Sequence, residues 1–159
     1  MAQRILVPLD GSSYSETALE YLKKTLINLC PEEKVTIILL HVVSVSTPSF
    51  RMSEVTDAFG APEALAEPHR LETLREESTK YLNDVAKSLK ETNVEVKKLI
   101  IDGINPAEEI IKAEEETKCD LVVMATHGRS GLSRWAFGSV TDKVLRAGTV
   151  PVMLVRTKG

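Results

Sequence analysis

A chain of 159 residues is the size of a single domain, here taken as 1–159, with a core able to bury roughly two-thirds of its unfolded surface. Its residues are 43% hydrophobic and 27% charged, the balance of an ordinary globular protein, and the net charge of −3 comes from interleaved acids and bases. That pattern leaves no basic stripe for nucleic acid, and the longest apolar run, around Val35 to Val45, is too short for a bilayer.

The amino terminus, MAQRILVPLDGSS, runs straight into a strand, so no secretory leader is expected. Cys30 and Cys119 stand far apart without metal-ligand neighbours and read as two buried thiols in a reducing cytoplasm.

Five segments read as strands: Arg4–Leu9, Val35–Val43, Val94–Ile101, Leu121–Thr126 and Val150–Val155. Four are dense in Val, Ile and Leu, as strands covered on both faces are. Val94–Ile101 alternates instead, which suits a sheet edge. Helical patterns separate the strands. Ser13-Tyr14-Ser15-Glu16 has the form of a capping box, followed by an apolar face through Ala18, Leu19, Leu22, Leu26 and Leu29. Leu71, Leu74, Leu82, Val85 and Leu89 mark a core-packing helix from about His69 to Thr92. Asn105 and Pro106 open a third helix, ending near Lys118. A fourth runs from Ser139 to Ala147, with Gly148 placed to stop it.

Strand–helix alternation of this kind implies an α/β fold, a doubly wound five-stranded parallel sheet with helices on both faces. With strand order 3-2-1-4-5, a ligand would sit outside the carboxyl ends of the strands, after Leu9 and after Thr126. The stretch from Ser44 to Pro68 holds three of the seven prolines and reads as a flap or a partly helical connection.

The chemistry concentrates between the fourth strand and the last helix, in ATHGRSGLSRWAFGS, Ala125 to Ser139. This connection is about twice the usual length and carries three of the eight glycines, Gly128, Gly131 and Gly138. Glycines admit close approach to backbone N–H groups, and the helix amino terminus that follows favours negative charge. Ser139 and Thr141 add hydroxyls; Arg129 and Arg134 add cations. The composition suits phosphate, although neither a Walker loop nor a G-x-G-x-x-G is present. Gly128-Arg129-Ser130-Gly131 also falls short of the hydrolase elbow.

Met124-Ala125-Thr126-His127-Gly128, nine residues, then Gly138-Ser139 resembles the nucleotide loop of the universal stress protein family, with Ala125 at the place of its first glycine. ILVPLDGSSYSETAL, ILLHVV, DGINPAEEII and GTVPVMLVR are similar to that family too, so the resemblance covers the chain outside Ser44–Pro68. It implies ATP as the ligand, with Mg2+ held mainly by the phosphates. Pro8, Leu9 and Asp10 would lie by the adenosine and Val42 would meet adenine through its backbone. Met124 and Ala125 would form the floor. His127, Gly128, Arg129 and Gly131 would surround ribose and phosphates, and Gly138, Ser139, Val140 and Thr141 would hold phosphate oxygens. It also implies a homodimer through the last strand, Val150–Val155, an apolar edge that soluble proteins seldom leave bare.

Several residues carry two readings each. Asp10 is a contact to nucleotide or magnesium-bound water, or the start of an Asx-turn before Gly11. Pro8, which cannot donate to a ladder, marks either the ladder's end or a gap for a ligand. His41, in an apolar run, reads as a satisfied core histidine rather than a general base. Trp135 and Phe137 anchor the loop or stack on a base. The expected function is ATP-dependent regulation in a stress response, with nucleotide as a conformational ligand and no fast catalysis. A slow ATPase or phosphotransferase and a nucleotide-free interaction module are the alternatives.

Overall fold

The computed structural model describes residues 3–27, 34–44, 67–89, 94–127 and 138–157. Its elements are β1 (Gln3–Leu9), α1 (Ser13–Leu22), β2 (Val35–Ser44), α2 (Glu67–Lys87), β3 (Val94–Gly103), α3 (Pro106–Thr117), β4 (Leu121–His127), α4 (Ser139–Ala147) and β5 (Val152–Thr157), with a wide helical turn at Lys23–Ile27. All strand pairs are parallel and the sheet order is β3-β2-β1-β4-β5, as the alternation predicts. Leu29, Cys30 and most of the Ser44–Pro68 connection lie outside the described residues.

Right-handed crossovers send the first two helices to one face and the last two to the other. The buried side chains divide accordingly. Ile5, Val7 and Leu9 pack with Leu19, Leu22, Leu82 and Leu89 on the α1/α2 side. Leu6, Ile38 and Leu40 pack with Ile110, Ala113 and Val144 on the α3/α4 side. Each fully buried aliphatic side chain contributes about 1.5–3 kcal/mol.

Four local expectations are corrected. The first helix is capped by Ser12, not Ser13: Ser12 Oγ accepts from the Ser15 N–H at 3.1 Å, and the Ser15 hydroxyl donates to the Ser12 carbonyl at 2.9 Å. Asn105 stands at the amino end of α3 but its side chain makes no cap; its Nδ2 donates to Glu108 Oε1 at 3.1 Å. The last strand begins at Val152 and not Val150. Pro151 lacks an N–H, so it joins the sheet only through its carbonyl, which accepts from the Val122 N–H at 3.0 Å. Its ladder then follows β4 as far as Thr157.

Gly148 does end α4, but through close packing and not a left-handed turn: its φ is −69° and ψ 157°. A Cβ there would lie 2.6 Å from the Val144 carbonyl oxygen and 2.8 Å from Glu114 Oε1. Glu114, on α3, is 1% exposed and accepts from the Thr149 N–H at 2.8 Å, fastening α3 to the loop before β5. Gly148→Ala should therefore destabilise the fold by about 1–3 kcal/mol, the usual effect of overpacking. Urea or thermal unfolding of the variant beside the wild type measures it, and an unchanged midpoint would contradict the packing described.

Candidate functional site

The two central strands part company after the middle of β1 and the first two residues of β4. β1 and β4 are partnered at Ile5–Leu121 and Leu6–Val122. Beyond those pairs β1 stays paired with β2 through Leu9–His41, and β4 with β5 through His127–Thr157. Pro8 thus lies where the β1–β4 ladder has already ended, and it lines the space between the parting strands. Above the split lies a cavity of about 610 Å3, a size common for small-molecule sites.

Pro8, Leu9 and Asp10 line the cavity from β1, Val42 from β2, and Met124 and Ala125 from β4. Gly138, Val140 and Thr141 enter from the amino end of α4. Ser139 opens α4 and is exposed, outside the lining. Gly128, Arg129 and Gly131, with the side chain of His127, lie outside the described residues, as do Arg134, Trp135 and Phe137. Lys118 is the one described non-glycine residue with positive φ, so Ala125 takes its place in β4 without backbone strain.

The α4 terminus is chemically open. Its N-cap is Gly138, which has no side chain to satisfy the first N–H groups of the helix, and Thr141 is 6% exposed in the first turn. Gly138 has φ −51° and ψ 157°, an angle available to other residues, and a Cβ built there meets nothing within 4 Å. Among the described residues its value at this position is the open space in front of the helix end, not conformational freedom. Thr126, 4% exposed on the same strand end, keeps its Oγ1 buried without a hydrogen-bond partner among the described residues. Among the described residues, helix N–H groups without a side-chain cap, an orphan hydroxyl and clear space fit an anionic, polar ligand.

Asp10 builds the Asx-turn: Oδ1 accepts from the Ser12 N–H at 2.9 Å and from the Ser12 hydroxyl at 2.5 Å. Gly11, at φ 84°, supplies the left-handed residue within it. Only one carboxylate oxygen is used, so the turn does not exhaust Asp10 as a cavity group. Burial works to raise its pKa, yet the bonds from Ser12 and Ser15 win and hold it below the ordinary aspartate value.

The structure also brings in residues that sequence reasoning left to the core or passed over. His41 lines the cavity with Nδ1 2.9 Å from the Leu9 carbonyl oxygen and its ring 5.9 Å, edge-on, from Tyr81. Burial, with the negative charge of Glu16, pushes the Tyr81 phenol well above its ordinary range. Tyr14 and Ser15 contribute from α1, and Arg70, Leu74 and Ser78 from α2. Their i, i+4, i+8 spacing was the available signal: it sets one stripe of α2 toward the strand ends, so Leu74 leaves the leucine core for the cavity wall. The Arg75–Asp102 ion pair holds this half of α2 against the end of β3.

The family model for the universal stress protein family matches residues 1–156. The chain belongs to the universal stress protein family. Universal stress protein MJ0577 of Methanocaldococcus jannaschii is 33% identical over 99% of this chain and 97% of its own. Universal stress protein YxiE of Bacillus subtilis is 30% identical over 98% of this chain and 100% of its own. The solved structure of MJ0577 superposes with a TM-score of 0.74, at 30% identity over 100% of this chain and 99% of that one. A family member from Arabidopsis thaliana, solved with AMP bound, shares the fold at a TM-score of 0.67 and 17% identity, over 99% of this chain and 93% of that one. Among the described residues no helix is long and apolar enough to cross a membrane, and no three His, Cys, Asp or Glu side chains cluster as metal ligands.

The Asp10 turn yields a pH test. A carboxylate whose folded pKa is depressed adds stability above its unfolded pKa and loses it as pH falls through the folded value. Ser12→Ala removes the hydroxyl that opposes burial, so the Asp10 carboxyl should titrate at higher pH than in the wild type. Carbon-13 NMR titration reads this directly; an unshifted titration would contradict the assigned cause.

Proposed function

We propose that this protein binds ATP in the cavity above the β1–β4 split and that the nucleotide acts as a conformational ligand in a stress-response regulator. The observation that carries this reading is the uncapped amino end of α4 opening onto that cavity, with unfilled space at Gly138. The triphosphate would lie against Gly138, Ser139, Val140 and Thr141, with its Mg2+ held mainly by phosphate oxygens. Pro8, Leu9, Asp10 and Val42 would flank the adenosine over a floor of Met124 and Ala125. His127, Gly128, Arg129 and Gly131 would close over ribose and phosphates from the adjoining loop. A relative with AMP bound supports an adenine nucleotide as the ligand class.

Binding and not hydrolysis is the expected activity. Hydrolysis needs an oriented water and a group to activate it. Among the described lining residues, Asp10 is engaged in its turn through Oδ1, and the His41 ring is held by the Leu9 carbonyl and not by a carboxylate that would stabilise an imidazolium. A reducing cytoplasm is the proposed location; Cys119, a buried free thiol whose pKa burial raises, is in keeping with it.

At a hundred times its dissociation constant, Mg-ATP should stabilise the fold by about 2.7 kcal/mol, seen as a raised melting temperature. Gly138→Val should melt like the wild type without ligand, because the Cβ direction is open, yet show no rise with ATP. Phosphate release should stay well below about 10 per second. An unchanged wild-type melt at millimolar ATP, or a full rise in Gly138→Val, would contradict the site.

The protein is further proposed to pair through β5. That strand closes the sheet with β4 on one side and no described strand on the other, and its side chains are apolar up to Arg156. Pairing with its two-fold copy would cover the edge. Light scattering should return twice the 17.5 kDa chain mass; a single chain mass at micromolar concentration would contradict the pairing.

A further inference from the structure

Three polar side chains on the β2, α1 and α2 side of the cavity, His41, Ser15 and Ser78, share a hydrogen-bonding state. A serine hydroxyl has one proton to donate, and a neutral imidazole has one N–H. The Ser78 hydroxyl donates to the Leu74 carbonyl at 2.7 Å, within its own helix. The Ser15 hydroxyl donates to the Ser12 carbonyl at 2.9 Å. His41 Nδ1 faces the Leu9 carbonyl oxygen, and a carbonyl only accepts, so Nδ1 carries the ring proton. Nε2 of the neutral ring is then a bare lone pair.

Every donor of these three side chains is therefore spent. Ser15 Oγ already accepts from the Asp10 N–H at 3.4 Å and keeps one lone pair, whereas His41 Nε2 and Ser78 Oγ accept from no group among the described residues. Ser78 is 6% exposed, so water can do little for its lone pair. Arg70, the one cationic side chain among the described lining residues, is exposed two turns toward the amino end of α2 and sits at the rim. Across the split, the end of α4 presents N–H donors. His41 Nε2 and Ser78 Oγ thus offer acceptors across the cavity from the donors of the α4 end. β2 and β4 flank β1, so these two strands lie about 10 Å apart. A ligand that satisfies both carries an anion at one end and a donor at the other.

We propose that His41 and Ser78 form an acceptor subsite that selects ligands presenting an N–H or O–H there, either an exocyclic purine amine or a sugar hydroxyl. The inference rests on the nucleotide reading above. Calorimetric titration in mildly alkaline buffer, where an imidazole is neutral, compares ATP with ITP, 2′-deoxy-ATP and 3′-deoxy-ATP. ITP replaces the amine by an oxygen; the deoxy compounds each remove one hydroxyl.

One of these analogues should bind about tenfold or more weakly than ATP, the effect of leaving a buried acceptor unpaired. The difference should shrink to about twofold or less in Ser78→Ala and in His41→Ala, as one lost hydrogen bond allows. Ser78→Ala removes only a bond inside α2, so it decides the matter if His41→Ala, which frees the Leu9 carbonyl, fails to fold. Equal affinity for ATP and all three analogues would overturn the subsite while the nucleotide reading stands. So would discrimination that persists unchanged in Ser78→Ala. If wild-type protein binds neither ATP nor any analogue, the nucleotide reading fails and the subsite with it.

Discussion

Beyond Leu6 and Val122 the two central strands no longer share a ladder, although each keeps its outer neighbour to the end. The constraint behind this is topological. Right-handed crossovers carry the chain from β1 toward β2 over one face, and from β4 toward β5 over the other. The helices that follow β1 and β4, α1 and α4, therefore diverge to opposite faces of the sheet. The cavity, the open helix end and the Asp10 turn all follow from that divergence.

The walls of the gap come from opposite layers and differ in kind. α4 meets the cavity with its amino end, where backbone N–H groups lack internal partners. α1 and α2 lie alongside it, and the Ser15 and Ser78 hydroxyls they offer already donate within their own layer. Fixed groups of this sort discriminate without reorganising, because their orientation was settled when the helices packed. The ion pair of Arg75 with Asp102 and the buried carboxylate of Glu114 hold these layers in register at two separate corners.

Strand order, strand identity and the family were legible in the sequence because parallel-sheet strands are long apolar runs and the turn residues between them are distinctive. Nine of the fourteen residues assigned to the site, Pro8, Leu9, Asp10, Val42, Met124, Ala125, Gly138, Val140 and Thr141, line the cavity. What the sequence hid was the role of residues whose type suits a core. His41 sits in an apolar run and Leu74 in a leucine stripe, and only the position of α2 over the strand ends turns them toward the cavity. The Ser12 cap and the reason for Gly148 were likewise out of reach. Each depends on a contact, with Asp10 in one case and with Glu114 in the other, that periodicity does not encode.

The central claim is that the space above the β1–β4 split holds an adenine nucleotide. Native mass spectrometry of the purified protein, followed by denaturation and analysis of the released small molecules, tests it most directly. The account requires one adenine nucleotide per chain, carried through purification or taken up on addition of Mg-ATP, with the added mass absent in Gly138→Val. A bare chain mass that stays bare in millimolar Mg-ATP would contradict it.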